Sequence, residues 1–251
     1  MSYISPLSII EPNVIMGENC TVEAFSILRS GVVLGDRVKI RSHCDIGIPT
    51  PLASSNRLVI GSNSIIRSHS VLYIGSNIGN CFTTGHNVII RENSDIGSHV
   101  QVGTSSDIQG DCSIGNYTRL QSNVHICKKT KIGEFVWLFM GVVFTNDDNP
   151  PSDIRIGAIV QDFAVIATKT TLLPGVIIGY GSLVGANSLV SKNVPPEMVA
   201  IGIPARIGKR TDEILNKNDG LPAYPWPRHF KTGYPKDLFE IYETRKGIYK
   251  S

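Results

Sequence analysis

Large aliphatic residues recur at every sixth position for most of this chain. From Ile4 the step runs to Ile46. It restarts at Ile60 and reaches Phe144, then restarts at Ile154 and reaches Val190. Of these 30 positions only Thr84 is not large and apolar, whereas a 41% hydrophobic composition would fill about twelve by chance. A second lane, two residues ahead, holds Ser, Val, Cys, Thr or Ala at 28 positions, with Leu58 and Phe82 as exceptions. Residues two apart on a strand face the same side, so both lanes point inward. Each short strand gives one large and one small side chain to a narrow prism. Such hexads predict an all-β chain, a parallel β-helix of about ten coils in which three hexads make one turn and residues 18 apart stack.

Glycine often follows the aliphatic, as at Gly61, Gly97 and Gly179, and is expected to make the corners. Phe82 and Thr84 break both lanes in opposite senses, so their volumes roughly balance. The repeat itself breaks at residues 47–59 and 145–153, each a Pro-bearing loop extruded from the prism. We expect one β-helix domain over residues 1–200. Residues 201–251 form a C-terminal tail that caps the coil's open end. In that tail residues 211–217 read as a short helix with Thr211 as N-cap, residues 221–235 as extended, and residues 236–245 as a final helix.

Composition excludes several functions. A net charge of +3, dispersed along the chain, gives no nucleic-acid footprint. No apolar stretch is long enough to span a membrane, and the first residues lack a basic signal region. Cys20, Cys44 and Cys112 lie in the small inward lane, so the cysteines suggest neither disulfides nor a zinc site. These features give a cytoplasmic, metal-free protein. Six histidines are candidate bases, and none of the five within the coils falls in an inward lane. His43, His69 and His99 share one corner phase and repeat the word Ser-His. His86 sits beside the Phe82/Thr84 swap, where a broken local rule points to function. His125 lies mid-strand on an outer face and is the runner-up, and His229 lies in the tail. A zinc site would need three converging histidines, but His86, His99 and His125 are not at stacking intervals. A non-catalytic scaffold coil is the remaining alternative.

The hexads, the run LLPGVIIGYGSLVGANSLVSKNVPP and the closing AIGIPARIGKR resemble the hexapeptide-repeat acyltransferases. The phrase VVFTNDDNPP resembles the loop of the branch that acetylates amino groups on nucleotide-linked sugars. The resemblance implies a left-handed parallel β-helix, a homotrimer with sites between neighbouring prisms, and acetyl-CoA or another short acyl-CoA as co-substrate. It implies N-acylation of a nucleotide-linked sugar for glycan-precursor synthesis. The alternative is sugar O-acetylation with His86 as general base, which a protonated hydroxyl demands more strictly. The segment GHNVIIRE looks like one typical of sugar acyltransferases, which puts His86, Asn87, Arg91 and Glu92 in the site. Asn146 and Asp147 at the acidic loop tip are candidates to hold the sugar or its amine, and either Arg67 or Arg91 could take a pyrophosphate. Ala167, Gly181 and Ala186 are small outward residues suited to a pantetheine arm. Lys192 and Arg206, with Lys209 and Arg210, form a basic cluster for the coenzyme's phosphates.

Overall fold

The computed structural model describes residues 1–218, 220–221, 223–224 and 237–248. His229 and most of 221–235 lie outside the described residues. The chain winds into a three-faced parallel β-helix. Face 1 has 12 strands, face 2 has 10 and face 3 has 9, and consecutive strands step from face to face. Stacked partners are 18 apart wherever no loop intervenes, as in Tyr3↔Thr21, Asp95↔Ser113 and Thr171↔Leu189, until the last coil shortens to 16 at Leu183↔Val199. Every coil is thus bonded to the next by parallel ladders about 4.8 Å apart.

The two lanes form the core. Leu28, Ile60, Ile90 and Leu138 are fully buried, and so are Ser26, Ser64 and Thr118 of the small lane. The small polar residues fit because each spends its hydroxyl on a neighbouring coil. Ser26 Oγ donates to the Arg41 carbonyl at 2.7 Å and accepts from Cys44 N–H at 3.1 Å. Phe82 and Thr84 are both at 0% exposure, so the size swap keeps the prism filled. Thr84 Oγ1 accepts from Arg67 N–H at 2.8 Å. Ile4 at the first coil is 42% exposed because no coil lies below it.

The glycines work differently from expectation. Gly61 and Gly97 do not carry the unusual backbone. The left-handed residue stands two later, as Asn63 (φ 62) and His99 (φ 59). The glycines are needed because coils touch there: a Cβ on Gly61 would lie 2.5 Å from the Gly79 carbonyl carbon, and one on Gly97 2.7 Å from Asn116 N. Left-handed backbone costs a bulky residue about 1–2 kcal/mol, and ring stacking at the corners offsets it. Tyr117, Phe135 and Phe163, all with positive φ, stack with His99 in a column at centroid spacings of 4.9–5.0 Å.

Both loops leave the same edge, between faces 2 and 3, and their limits differ from the sequence reading. Strands Asp45–Ile48 and Leu58–Ile60 claim the ends of the first, leaving 49–57 extruded. The second runs on to the strand Ile159–Val160. Ile154 kept the six-residue phase by coincidence; it is 68% exposed and belongs to the loop.

The tail divides its work. A hairpin of Met198–Gly202 and Ala205–Arg210 closes the last coil. Helix α1, Leu238–Ile248, lies instead along the side, where Leu238 and Tyr242 are buried against Phe135, Phe163 and Val165. The expected helix at 211–217 is one 3₁₀ turn, Thr211–Glu213. Its N-cap is Arg210, while Thr211 is buried with its N–H on the Glu197 carbonyl. No helix of the described residues is long and apolar enough to cross a membrane.

The register predicts a sharp asymmetry. Ile114→Asp, at a 2% exposed lane position, should lower stability by several kcal/mol, because an unpaired carboxylate enters an apolar prism. Ser113→Asp, one residue earlier and facing out between Asp95 and Lys131, should melt near wild type. Thermal melts by circular dichroism check the pair; equal Tm values would contradict the register.

Candidate functional site

Parallel stacking brings residues 18 apart together on the outside as well as the inside. On face 2 it sets Asp107 beside His125. Asp107 Oδ2 lies 3.4 Å from His125 Nδ1 and accepts from Gln109 Nε2 at 3.0 Å. Asp107 Oδ1 is buried with no protein partner among the described residues. The carboxylate holds a ring proton on Nδ1. The hydrogen bond to Asp107, then that to Cys127, pushes His125 up to about 10. Burial pushes Asp107 up, but the bonds from His125 and Gln109 hold it below its ordinary value.

His125 lines a cavity of about 530 Å³ with Cys127, Val143, Phe144 and Leu173. The second loop forms its other wall, through Thr145, Asn146, Asp147, Asp148 and Pro150. The strand Val143–Phe144 ends where the loop begins, so the loop tip returns over His125's own face. The floor is apolar, and the rim combines an imidazole, an amide and carboxylates. Such a rim can bind an amine or sugar hydroxyls and exchange a proton with them.

Two residues assigned to the substrate from sequence have other employment. Asp147 Oδ2 accepts Ser152 N–H at 2.9 Å and Arg155 at 2.7 Å, and its Oδ1 accepts the Ser152 hydroxyl at 2.6 Å. The Ser152 hydroxyl first, then these N–H groups and the Arg155 charge, lower its pKa. It staples the loop. Glu92 is wholly buried and paired with Lys128 at 2.9 Å and Arg91 at 3.2 Å, so it cannot face a ligand. Burial pushes its carboxyl up, but the Lys128 bond and both cations hold it low. Arg91 also lies over the Tyr73 ring at 5.4 Å. Asn146 stays on the cavity wall, its amide donating to the Lys128 carbonyl at 3.3 Å.

His86 stands elsewhere. It is exposed on the edge between faces 1 and 2, with Nδ1 2.7 Å from Ser68 Oγ, and Asn87 beside it is an exposed left-handed corner residue. His43 and His69 share that edge and stack at 4.9 Å. His99 shares their phase but lies on the edge between faces 3 and 1. The residues assigned to the coenzyme fall in four places. Ala167 and Ala186 lie on the His86 edge, Gly181 on the edge between faces 3 and 1, Lys192 on the loop edge, and Arg206 in the terminal hairpin. Arg210 is already held by Glu197 and Asp212. Among the described residues no group of three His, Cys, Asp or Glu is placed to hold a metal.

Sequence reasoning passed over Asp107, Gln109, Cys127 and Asp148, and ranked His125 second. The signal was present: Asp107 and His125 are 18 apart on outward positions of one face. The pair has a pH signature. A histidine raised on folding from 6.5 to about 10 contributes fully below about pH 6.5 and loses that contribution as pH climbs toward 10. Asp107, lowered, contributes above its ordinary 3.8 and loses it as pH falls. The Tm gap between wild type and Asp107→Asn should be widest near pH 6 and shrink between pH 7 and 10. A gap constant across that window would contradict the pairing.

A family model described as bacterial transferase hexapeptide (six repeats) matches residues 13–47. The chain is 26% identical over 196 residues to the bifunctional protein GlmU of Clostridioides difficile, covering 76% of this chain and 38% of that protein. A putative acetyltransferase of Schizosaccharomyces pombe is 34% identical over 91 residues, 36% of this chain and 39% of that one. The chain spans about two fifths of the length of the curated relatives it matches. Among solved structures, LpxA of Bacteroides fragilis, a UDP-N-acetylglucosamine acyltransferase, superposes with a TM-score of 0.52 at 22% identity, over 98% of this chain and 85% of that one. Repeat, register and superposition agree: this chain is a hexapeptide-repeat β-helix protein.

Proposed function

We propose that this protein is an acyl-CoA-dependent acyltransferase that acylates an amino group of a nucleotide-linked sugar, with acetyl-CoA as donor. The observation that carries the reading is the Asp107–His125 pair, whose histidine lines the same cavity as Asn146 on the loop edge. Acyl transfer from a thioester needs a nucleophile, a route for its proton and donors for the oxyanion. Asn146 orients the acceptor amine, and the unprotonated form of His125, whose population grows as pH rises toward 10, takes the proton it releases. The names of the relatives support acyl transfer, and the UDP-sugar acyltransferase that shares the fold supports a nucleotide-linked acceptor. A homotrimer, with neighbouring prisms closing these exposed grooves, and a cytoplasmic place beside acyl-CoA belong to the same reading.

One observation favours a second reading, sugar O-acetylation. A carboxylate-held histidine is more than an unprotonated amine requires, whereas a hydroxyl needs such a base. His125 replaces His86 as the favoured base in either case, because the cavity lies against His125.

A coenzyme A-release assay over amino sugars linked to UDP and dTDP tests the function, and its pH profile assigns the histidine. His125→Asn should lower turnover by about 10²–10⁴-fold if the ring is the base. The wild-type rate should rise from pH 7 toward 10, as His125 loses its proton. With an amine that attacks unaided, the loss should be far smaller and should fade at high pH. His86→Asn should stay near wild type. A dead His86→Asn beside an active His125→Asn would return the site to the other edge.

A further inference from the structure

The loop edge carries a continuous polar ladder, one rung per coil. At its foot Asn93 Nδ2 donates to the Leu52 carbonyl of the first loop at 2.9 Å and to Asp111 Oδ1 at 2.9 Å. Asn93 Oδ1 accepts from the N–H and the hydroxyl of Ser54, both at 2.8 Å. Asp111 Oδ2 lies 3.4 Å from Lys128 Nζ, which also donates to the buried Glu92 at 2.9 Å. The Lys128 carbonyl holds the Asn146 amide at 3.3 Å. Asn93, Asp111, Lys128 and Asn146 succeed one another at 18, 17 and 18 residues, the interval of the coil itself.

The two loops leave this edge five coils apart, roughly 24 Å at strand spacing. The first loop's contacts with Asn93 carry it toward the second. The rungs between are not loose surface charges. Glu92 has no exposed side-chain surface, and Arg91 and Lys128 are both drawn to it. A buried carboxylate with its partners satisfied holds them in one arrangement, and removing its charge releases them.

We propose that this ladder is the positioning device of the acceptor site: Glu92 and Lys128 set Asn146 on the cavity wall, and Asn93 with Asp111 couples the first loop to it. The inference rests on the acyltransferase reading only in calling the ligand an acceptor. Lys128 fixes one amide hydrogen of Asn146 and leaves Oδ1 to receive an amine. The first loop is then a specificity element, because its contacts with Asn93 bear on the rung that leads to Asn146.

Hydrogen exchange and kinetics of the full chain test it together. Glu92→Gln keeps the shape and removes the charge. Exchange in residues 145–157, including the Ile156 N–H that bonds the Asn146 carbonyl, should speed by about tenfold. Exchange around the Tyr117–Phe135–Phe163 column should not change. The KM for the acceptor should rise about tenfold with the KM for acyl-CoA unmoved, and Glu92→Asp should recover part of it. Asn93→Gly, which keeps the left-handed corner and is expected to fold, should speed exchange in both loops. Glu92→Gln or Asn93→Gly with wild-type exchange in residues 145–157 would overturn the ladder. So would an equal rise in both KM values. If wild type transfers acyl groups to no nucleotide-linked sugar, the acyltransferase reading fails, while the exchange data still decide the coupling.

Discussion

Everything in this molecule depends on the register of the parallel stack. Coil-to-coil hydrogen bonds fix residues 18 apart above one another, and the prism interior then admits only one large and one small side chain per strand. That single constraint orders the core, packs the corner glycines against the next coil and aligns the aromatic column. It also makes the outside a set of vertical rows. A row on a face or an edge is chemistry repeated at about 4.8 Å of backbone spacing, near enough for side chains on successive coils to meet in an ion pair or hydrogen bond. The Asp107–His125 pair and the Asn93-to-Asn146 ladder are the same geometry as the Ile96–Ile114 contact, turned outward.

The fold was legible because its signal is repeated thirty times. The inward lanes hold wherever a coil is complete, and fail at Ile4, where the prism ends, and at Ile154, where a ten-residue insertion happens to keep the phase. Finer features were less legible. Gly61 and Gly97 look like turn residues in sequence, but steric approach of the next coil explains them. The tail looked like one cap, yet the hairpin closes the coil while Leu238 and Tyr242 bury themselves on its flank, against the outward-pointing rings of Phe135 and Phe163.

The candidate site was legible in part. Asn146 and Arg91 were named from loop chemistry and outward phase, and the structure sets both on one edge. Glu92 was placed against the ligand through the GHNVIIRE resemblance, and Asp147 through its position at the acidic loop tip. Their partners, Lys128 at 36 residues and Arg155 within the loop, show that each is consumed by structure. His86 drew attention through the Phe82/Thr84 swap, which the structure packs inside the prism, with Phe82 N–H on Ser64 Oγ and Arg67 N–H on Thr84 Oγ1. The spacing rule that excluded a zinc site would have paired His125 with Asp107 if it had been applied to carboxylates as well.

The account's central claim is that acyl transfer occurs where the second loop covers His125. A crystal structure with coenzyme A and a nucleotide-linked amino sugar tests it most directly. The account predicts the coenzyme's sulfur and the sugar's amine within about 4 Å of each other beside His125 Nε2, with the amine in hydrogen-bond reach of Asn146 Oδ1. Both ligands meeting on the edge that carries His86, with the loop cavity empty, would contradict it.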